Sequence, residues 1–392
     1  SSGGGIRSSE DADSEGQEGR FYTWTVRQME SVLSLDEVKA VLIAAGTMTV
    51  DDSLDALTDA ERDAERVLRL ATRPSEFERV SVGDSEAGLL FRSALRKLSA
   101  ARMQRVRPGM DDKVVTDWNG LAIAALARAG RALGEQGFVD SAVRCADFVL
   151  TGMRDEAGRL VHTYRGGGTP VPAFLDDYAF MADGLLELYQ ATHEPRYLRE
   201  AVALTTRMID AFWDGENGAF FQTADEAERM VVRVKPAFDG AMPSGNSVAA
   251  SVLLRIGRLT DDATVIDHAD RLFSALAPMI ESSPGAFPHL LSAYMMRYSE
   301  SYVSIVVGDT SVQGTRELIR TINETYTPVN TLVVVPVDRP ARHVVSLVPA
   351  ARDAVLVDGH EAAYVCSGNM CSQPVDTPQE LRGLLKGRSP AG

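Results

Sequence analysis

Apolar positions spaced by three and four residues dominate this chain, the signature of helices with one buried face. The cleanest case is Val248, Val252, Ile256 and Leu259. That run follows Pro236-Ala-Phe-Asp-Gly-Ala-Met-Pro-Ser-Gly-Asn-Ser247. There Gly and Pro fix an irregular backbone, and Ser244, Asn246 or Ser247 can cap the helix that follows. Segments 119–133, 177–191 and 246–260 align with one another, and each is rich in Ala and small residues. Such helices suit closely packed inner positions. After each comes a polar turn and a more charged partner helix, at about 139–153, 197–213 and 265–280. The repeating unit is an inner–outer helical hairpin. Helices at about 25–33, 36–45, 51–75, 85–105 and 290–298 extend it. The expected fold is mainly α: an α/α toroid over residues 21–299, whose parallel inner helices present one set of ends to one face.

The pattern changes near residue 300. Runs at 302–308, 332–336, 354–357 and 363–366 predict short strands, with helices at 315–326 and after the capping-box sequence Thr377-Pro-Gln-Glu380. Residues 300–392 therefore form a small C-terminal α/β module whose strand–helix–strand order fits a parallel pair. Residues 1–20, mostly Gly, Ser and acid, predict a loop or disordered arm.

Charge narrows the classes. The chain carries 40 basic and 55 acidic residues, a net charge of −15, and no Lys/Arg run, which speaks against nucleic acid as a partner. No apolar stretch approaches the roughly 18 residues a membrane span needs. Three cysteines argue against a disulfide framework and fit the reducing cytoplasm. Cys145 lies among apolar helix residues, and Cys366 and Cys371 read as two thiols near a strand end. No His/Asp/Cys spacing resembles a metal site, and no phosphate loop or nucleophile elbow is present, so neither a metal nor a cofactor is expected.

The three inner helices share an entrance chemistry. The loops before them hold Asp111, Asp112, Lys113, Asp117, Trp118 and Asn119; then Asp176, Asp177 and Tyr178; then Asp239, Met242, Ser244 and Asn246. If the helices run parallel, carboxylates, aromatic faces and amides meet in one cavity. Carboxylates of unequal pKa do acid/base work on sugars, aromatic plates suit a sugar ring, and Asn and Ser suit its hydroxyls. Capping alone also explains Asp at a helix start. His162 and His289, both in loops, can face the same cavity or be structural.

Several of these blocks are similar to a known family. They are Asp11–Gly16 with Glu18–Trp24, Arg107–Gly120, Phe174–Ala179, Asp239–Ser247, and Ala363–Cys366 with Cys371. They resemble the thioredoxin-domain-containing family related to spermatogenesis-associated protein 20, across essentially the whole chain. The resemblance implies a six-hairpin, glycosidase-like toroid of carbohydrate-active ancestry. It also implies a thioredoxin-like domain as partner; no such βαβ start opens this sequence, which is therefore expected to be a fragment or one half of a split protein. The adjacent Asp pair is similar to the acid pair of some toroidal mannan hydrolases.

The expectation is thus a hydrolase or epimerase-like enzyme acting on a sugar-type substrate. Asp176 or Asp177 is the acid or base and Asp112 or Asp239 its partner. Trp118, Asn119, Tyr178, Lys113, Met242, Ser244, Asn246, His162 and His289 bind substrate. The alternative is a non-catalytic ligand-binding or scaffold module beside a thioredoxin-like domain.

Overall fold

The structure, a computed structural model, describes residues 3–70, 86–166, 170–227, 231–327, 329–337, 342–368 and 370–386. The chain divides into two compact units, residues 9–112 and residues 1–8 with 113–392.

The first unit has its own core. Helices α1 (Val26–Glu30), α2 (Leu35–Ala44), α3 (Asp59–Asp63) and α4 (Glu86–Arg102) belong to it, and Trp24, Met29, Leu42, Phe91 and Leu98 pack at its centre. Thr25, Ser34 and Thr58 start the first three helices, each through a capping box. Two expectations are corrected here. Residues 51–75 are not one helix: Thr58 opens α3, Ala64 is already extended, and Arg66–Val67 is strand, while 71–75 lie outside the described residues. The arm before residue 20 contains strand, with Asp13–Ser14 pairing antiparallel to Gln17–Glu18. Glu15 and Gly16, both at positive φ, form the two-residue turn that joins them.

The larger unit is built from helical hairpins: α5 (Thr116–Leu133) with α6 (Gln136–Gly152), α7 (Leu175–Thr192) with α8 (Pro195–Phe212), and α9 (Gly245–Thr260) with α10 (Ala263–Ser282). Helix α11 (Pro288–Tyr298) follows. This is the α/α-toroid arrangement, with α5, α7 and α9 inside. Burial separates the layers: α7 is buried almost throughout its length, whereas α8 buries one face.

Inner helices approach closely because small residues stand where they cross. A Cβ on Gly120 would lie 2.6 Å from the Phe180 carbonyl carbon, and one on Gly184 would lie 2.7 Å from the Gly120 carbonyl oxygen. Midway along the helices, Asp183 and Glu187 of α7 pair with Arg128 of α5 and Arg255 of α9, and Glu187 also pairs with Arg131. Burial opposes ionisation of Glu187. Arg255, Arg128 and Arg131 outweigh it and hold the carboxyl at about 2.

The C-terminal sheet runs β2–β1–β3–β4, with β1 at Tyr302–Val307, β2 at Asn330–Val335, β3 at Ala362–Ser367 and β4 at Met370–Cys371. Strands β1 and β2 are parallel, joined through helix α12 (Gln313–Glu324). Residues 354–357 are not a strand; Val357 makes only an isolated bridge to His360. The antiparallel register sets Cys366 opposite Cys371, and the two form a disulfide rather than the expected pair of thiols. Cys145 is buried and free, as its helix pattern predicts. Among the described residues no helix is long and apolar enough to cross a membrane.

Candidate active site

Helix starts carry amide N–H groups with no partner inside the helix. In α5, α7 and α9 those starts stand at one end of the array, and their donors are met largely by side chains of neighbouring elements. The preceding residue Val115 offers α5 no side-chain cap. Instead Asp177 of α7 accepts the Asp117 N–H at 2.9 Å, and Asp117 itself accepts the Trp118 N–H at 2.7 Å. Asp177 also reaches back to the Phe174 N–H at 2.8 Å. Helix α9 starts conventionally, with Ser244 Oγ accepting the Ser247 N–H at 3.1 Å. Its first residue, Gly245, packs on Asp176 so tightly that a Cβ there would lie 2.1 Å from Oδ1. The starts of the three inner helices therefore meet.

His162 completes the group. It lies on the strand Val161–Tyr164, and Nδ1 sits 3.0 Å from both oxygens of Asp177. Its ring stands edge-on to Phe174, with centroids 5.0 Å apart. The strand is held against α5 by the buried Thr116 hydroxyl, which donates to the Val161 carbonyl at 2.6 Å. Asp117, His162 and Asp177 each offer one ligand-type atom, all within 4.8 Å of one another.

The environment sets these groups apart electrostatically. Burial, and then the Asp117 and Asp177 charges, push Asp176 from 3.8 up to about 6, although the Gly245 amide and His162 oppose this. Burial, then Asp177, raises Asp117 as well. The hydrogen bond that His162 donates to Asp177 raises the imidazole, against the desolvation of its ring. Oδ1 of Asp176 is buried and has no hydrogen-bond partner among the described residues. Asp177, by contrast, receives three donors. It can hold the histidine with its proton on Nδ1, which leaves Nε2 as the nitrogen that exchanges protons. The same Asp117, His162 and Asp177 are the residues that could hold a metal ion, one ligand atom from each.

The remaining expected residues are placed as follows. Asn119 and Asn246 are fully buried and engaged with backbone. Asn119 bonds Ile6 and Val115; Asn246 bonds both backbone groups of Phe220 and the Pro236 carbonyl. Asp239 accepts the Ser244, His289 and Leu290 N–H groups, so it braces its own loop and the start of α11, and His289 meets it through its backbone. Ser244 is the cap already described. Tyr178 is buried against Phe212 and lines a 350 Å³ cavity with Phe174, Arg159 and Arg207. Trp118, Phe238 and Met242 are exposed at the N-terminal end of the inner helices. Lys113 is half-buried in the strand Met110–Val115, and Asp112 on the same strand is exposed and belongs to the N-terminal unit. Asp117 is the member of the group that sequence reasoning left without a role. Its signal was its place at the start of an inner helix, as with Asp176 and Asp177.

No protein-family model matches the chain. Spermatogenesis-associated protein 20 of Homo sapiens is 32% identical over 409 residues, which cover 97% of this chain and 52% of the human protein. The Rattus norvegicus protein of the same name is 30% identical with the same coverage, and an uncharacterized protein of Caenorhabditis elegans is 29% identical over 97% of this chain and 55% of its own. The chain thus spans about half the length of the curated relatives it matches. Among solved structures, the chain is similar to cellobiose 2-epimerase from Bacillus thermoamylovorans, at 13% identity, 66% of each chain covered and a TM-score of 0.38. It is also similar to a GH76 alpha-mannanase of Bacteroides thetaiotaomicron, at 15% identity, 42% of this chain and 44% of that one covered, and a TM-score of 0.36.

Proposed function

We propose that Asp117, His162, Asp176 and Asp177 form a proton-transfer site for a hydroxylated, sugar-type substrate, epimerase-like in its chemistry. The observation that carries this reading is a histidine with Nδ1 bound to a buried carboxylate at 3.0 Å, beside a second carboxyl raised to about 6. Nε2 of His162 is then a base whose proton affinity is increased by Asp177, and Asp176 is an acid still partly protonated near neutrality. With a carbon next to a carbonyl, His162 takes the C–H proton and leaves an enolate. Asp176 returns a proton to the opposite side of that carbon, so its configuration inverts. Asp177 positions His162, and the exposed Trp118 and Phe238 supply aromatic surface at the same end of the helices.

Hydrolysis is the less favoured chemistry. It needs a pair of carboxyls across the scissile bond, whereas the histidine held by Asp177 at 3.0 Å favours proton transfer. The motif resemblance adds a thioredoxin-like partner to the proposal.

The test is solvent exchange. The protein is incubated with a panel of reducing sugars and sugar phosphates in D2O, and deuterium at the carbon next to the carbonyl is followed by proton NMR. Exchange with at least one sugar is expected, with loss of at least a hundredfold in rate for His162→Gln. No exchange with any sugar, or undiminished exchange in folded His162→Gln, sinks the proposal.

A further inference from the structure

A larger cavity, of 610 Å³, lies at the other end of the inner helices. Its walls come from the last turns of α9 and α11, the starts of β1 and β2, and strands β3 and β4 joined by Cys366 and Cys371. That volume is in the range of small-molecule sites.

Two arginines face it, in different states. Arg255 is neutralised by Asp183 and Glu187, each at 2.7 Å. Arg258 is not. Its Nη2 donates to the carbonyls of Met296 and Arg297, at the end of α11. Among the described residues its other nitrogens have no hydrogen-bond partner, and no carboxylate pairs with it, although Asp261 and Asp353 line the same cavity. Capping α11 therefore accounts for one nitrogen of the guanidinium and leaves the charge uncompensated. Burial, and then the Arg297 cation, push Arg258 down to about 10. A part-buried guanidinium without a carboxylate partner is costly, and a bidentate oxyanion is the partner its planar fork fits best. Many of the other polar groups here are already engaged: Tyr364 with Val355, Asn330 with Ser304, and Ser372 with Val365. Arg258 is the group left to recognise a ligand's charge, and the exposed Gln373 stands on the cavity wall.

We propose that this cavity is a second ligand site, which binds a small molecule through a phosphate or carboxylate group paired with Arg258. It is separate from the carboxylate–histidine group and independent of the reaction assigned there.

The test uses thermal unfolding of the whole chain with inorganic phosphate and, separately, acetate, each against chloride at equal ionic strength. A saturable rise in Tm is expected for at least one probe, and which one responds identifies the oxyanion. The rise should vanish in Arg258→Met, which keeps the stem and removes the fork. It should also vanish in Gln373→Trp, which fills the cavity from an exposed position and leaves α11 capped. If Arg258→Met does not fold, Gln373→Trp decides. Neither probe raising Tm above chloride, or an undiminished rise in either folded variant, overturns the proposal.

Discussion

Asp176→Asn should make the protein more stable at alkaline pH while damaging its chemistry. The carboxyl sits at about 6 in the fold against 3.8 for an unperturbed aspartate. A displacement of that size corresponds to roughly 3 kcal/mol favouring the neutral form. Because the folded value is the higher one, the folded state binds the proton more tightly. The benefit is complete below the unfolded value and is lost as pH rises through about 6. His162 acts in the same direction, since its raised pKa, due first to the Asp177 hydrogen bond, also favours the fold at lower pH. Asparagine cannot ionise and escapes the loss. Its amide must still find partners where Oδ1 now has none, which offsets about 1 kcal/mol. The expected gain is therefore about 1–3 kcal/mol at pH 8, shrinking to within about 0.5 kcal/mol at pH 4. Urea unfolding at constant ionic strength from pH 4 to pH 8 measures both. A difference that does not change with pH, or a parent protein more stable than the variant at pH 8, would show that Asp176 is not held against its charge. A gain in stability coupled to lost proton exchange would mark a group kept for function.

Three further substitutions test the frame that positions the site. Gly184→Ala should cost about 1–3 kcal/mol in urea unfolding through overpacking against the Gly120 carbonyl, whereas helix propensity alone predicts a gain of about 1 kcal/mol, so the sign decides. Arg255→Met should cost about 3–5 kcal/mol at pH 7, because Asp183 and Glu187 lose a buried partner; an effect below about 1 kcal/mol would mean Arg128 and Arg131 suffice. Asn246→Ala should cost about 2–4 kcal/mol by leaving Phe220 and Pro236 backbone groups buried without partners; Asn246→Asp, which keeps the acceptor but loses the donor, should not restore the stability measured by thermal unfolding.

The helical hairpins were legible from the chain because their determinants are local. Apolar spacing, charged outer faces and polar turns lie within a few residues of the helices they define, and α5 to α10 fall within a few residues of the expected limits. Capping was legible too, at Ser244 and Thr377. Even so, the resemblance between the three entrances did not say which carboxyls would meet. Asp239 follows the same rule as Asp177, yet it turns to the start of α11, and Asn119 and Asn246 turn inward to backbone.

Sequence alone determined the repeat of inner and outer helices, the Val-rich strands after residue 300 and the gathering of acidic loops at one end. Each follows from periodicity and chain direction. Only the tertiary structure decided that Asp117 and His162, rather than Asp239, stand with Asp176 and Asp177. That choice depends on how each inner helix is rotated about its axis, which the close crossing at Gly120 and Gly184 and the Thr116–Val161 bond fix through contacts far apart in the chain. It also decided the Cys366–Cys371 pairing, through strand register, and the uncompensated charge of Arg258, because whether a cation finds an acid depends on the neighbours that surround it.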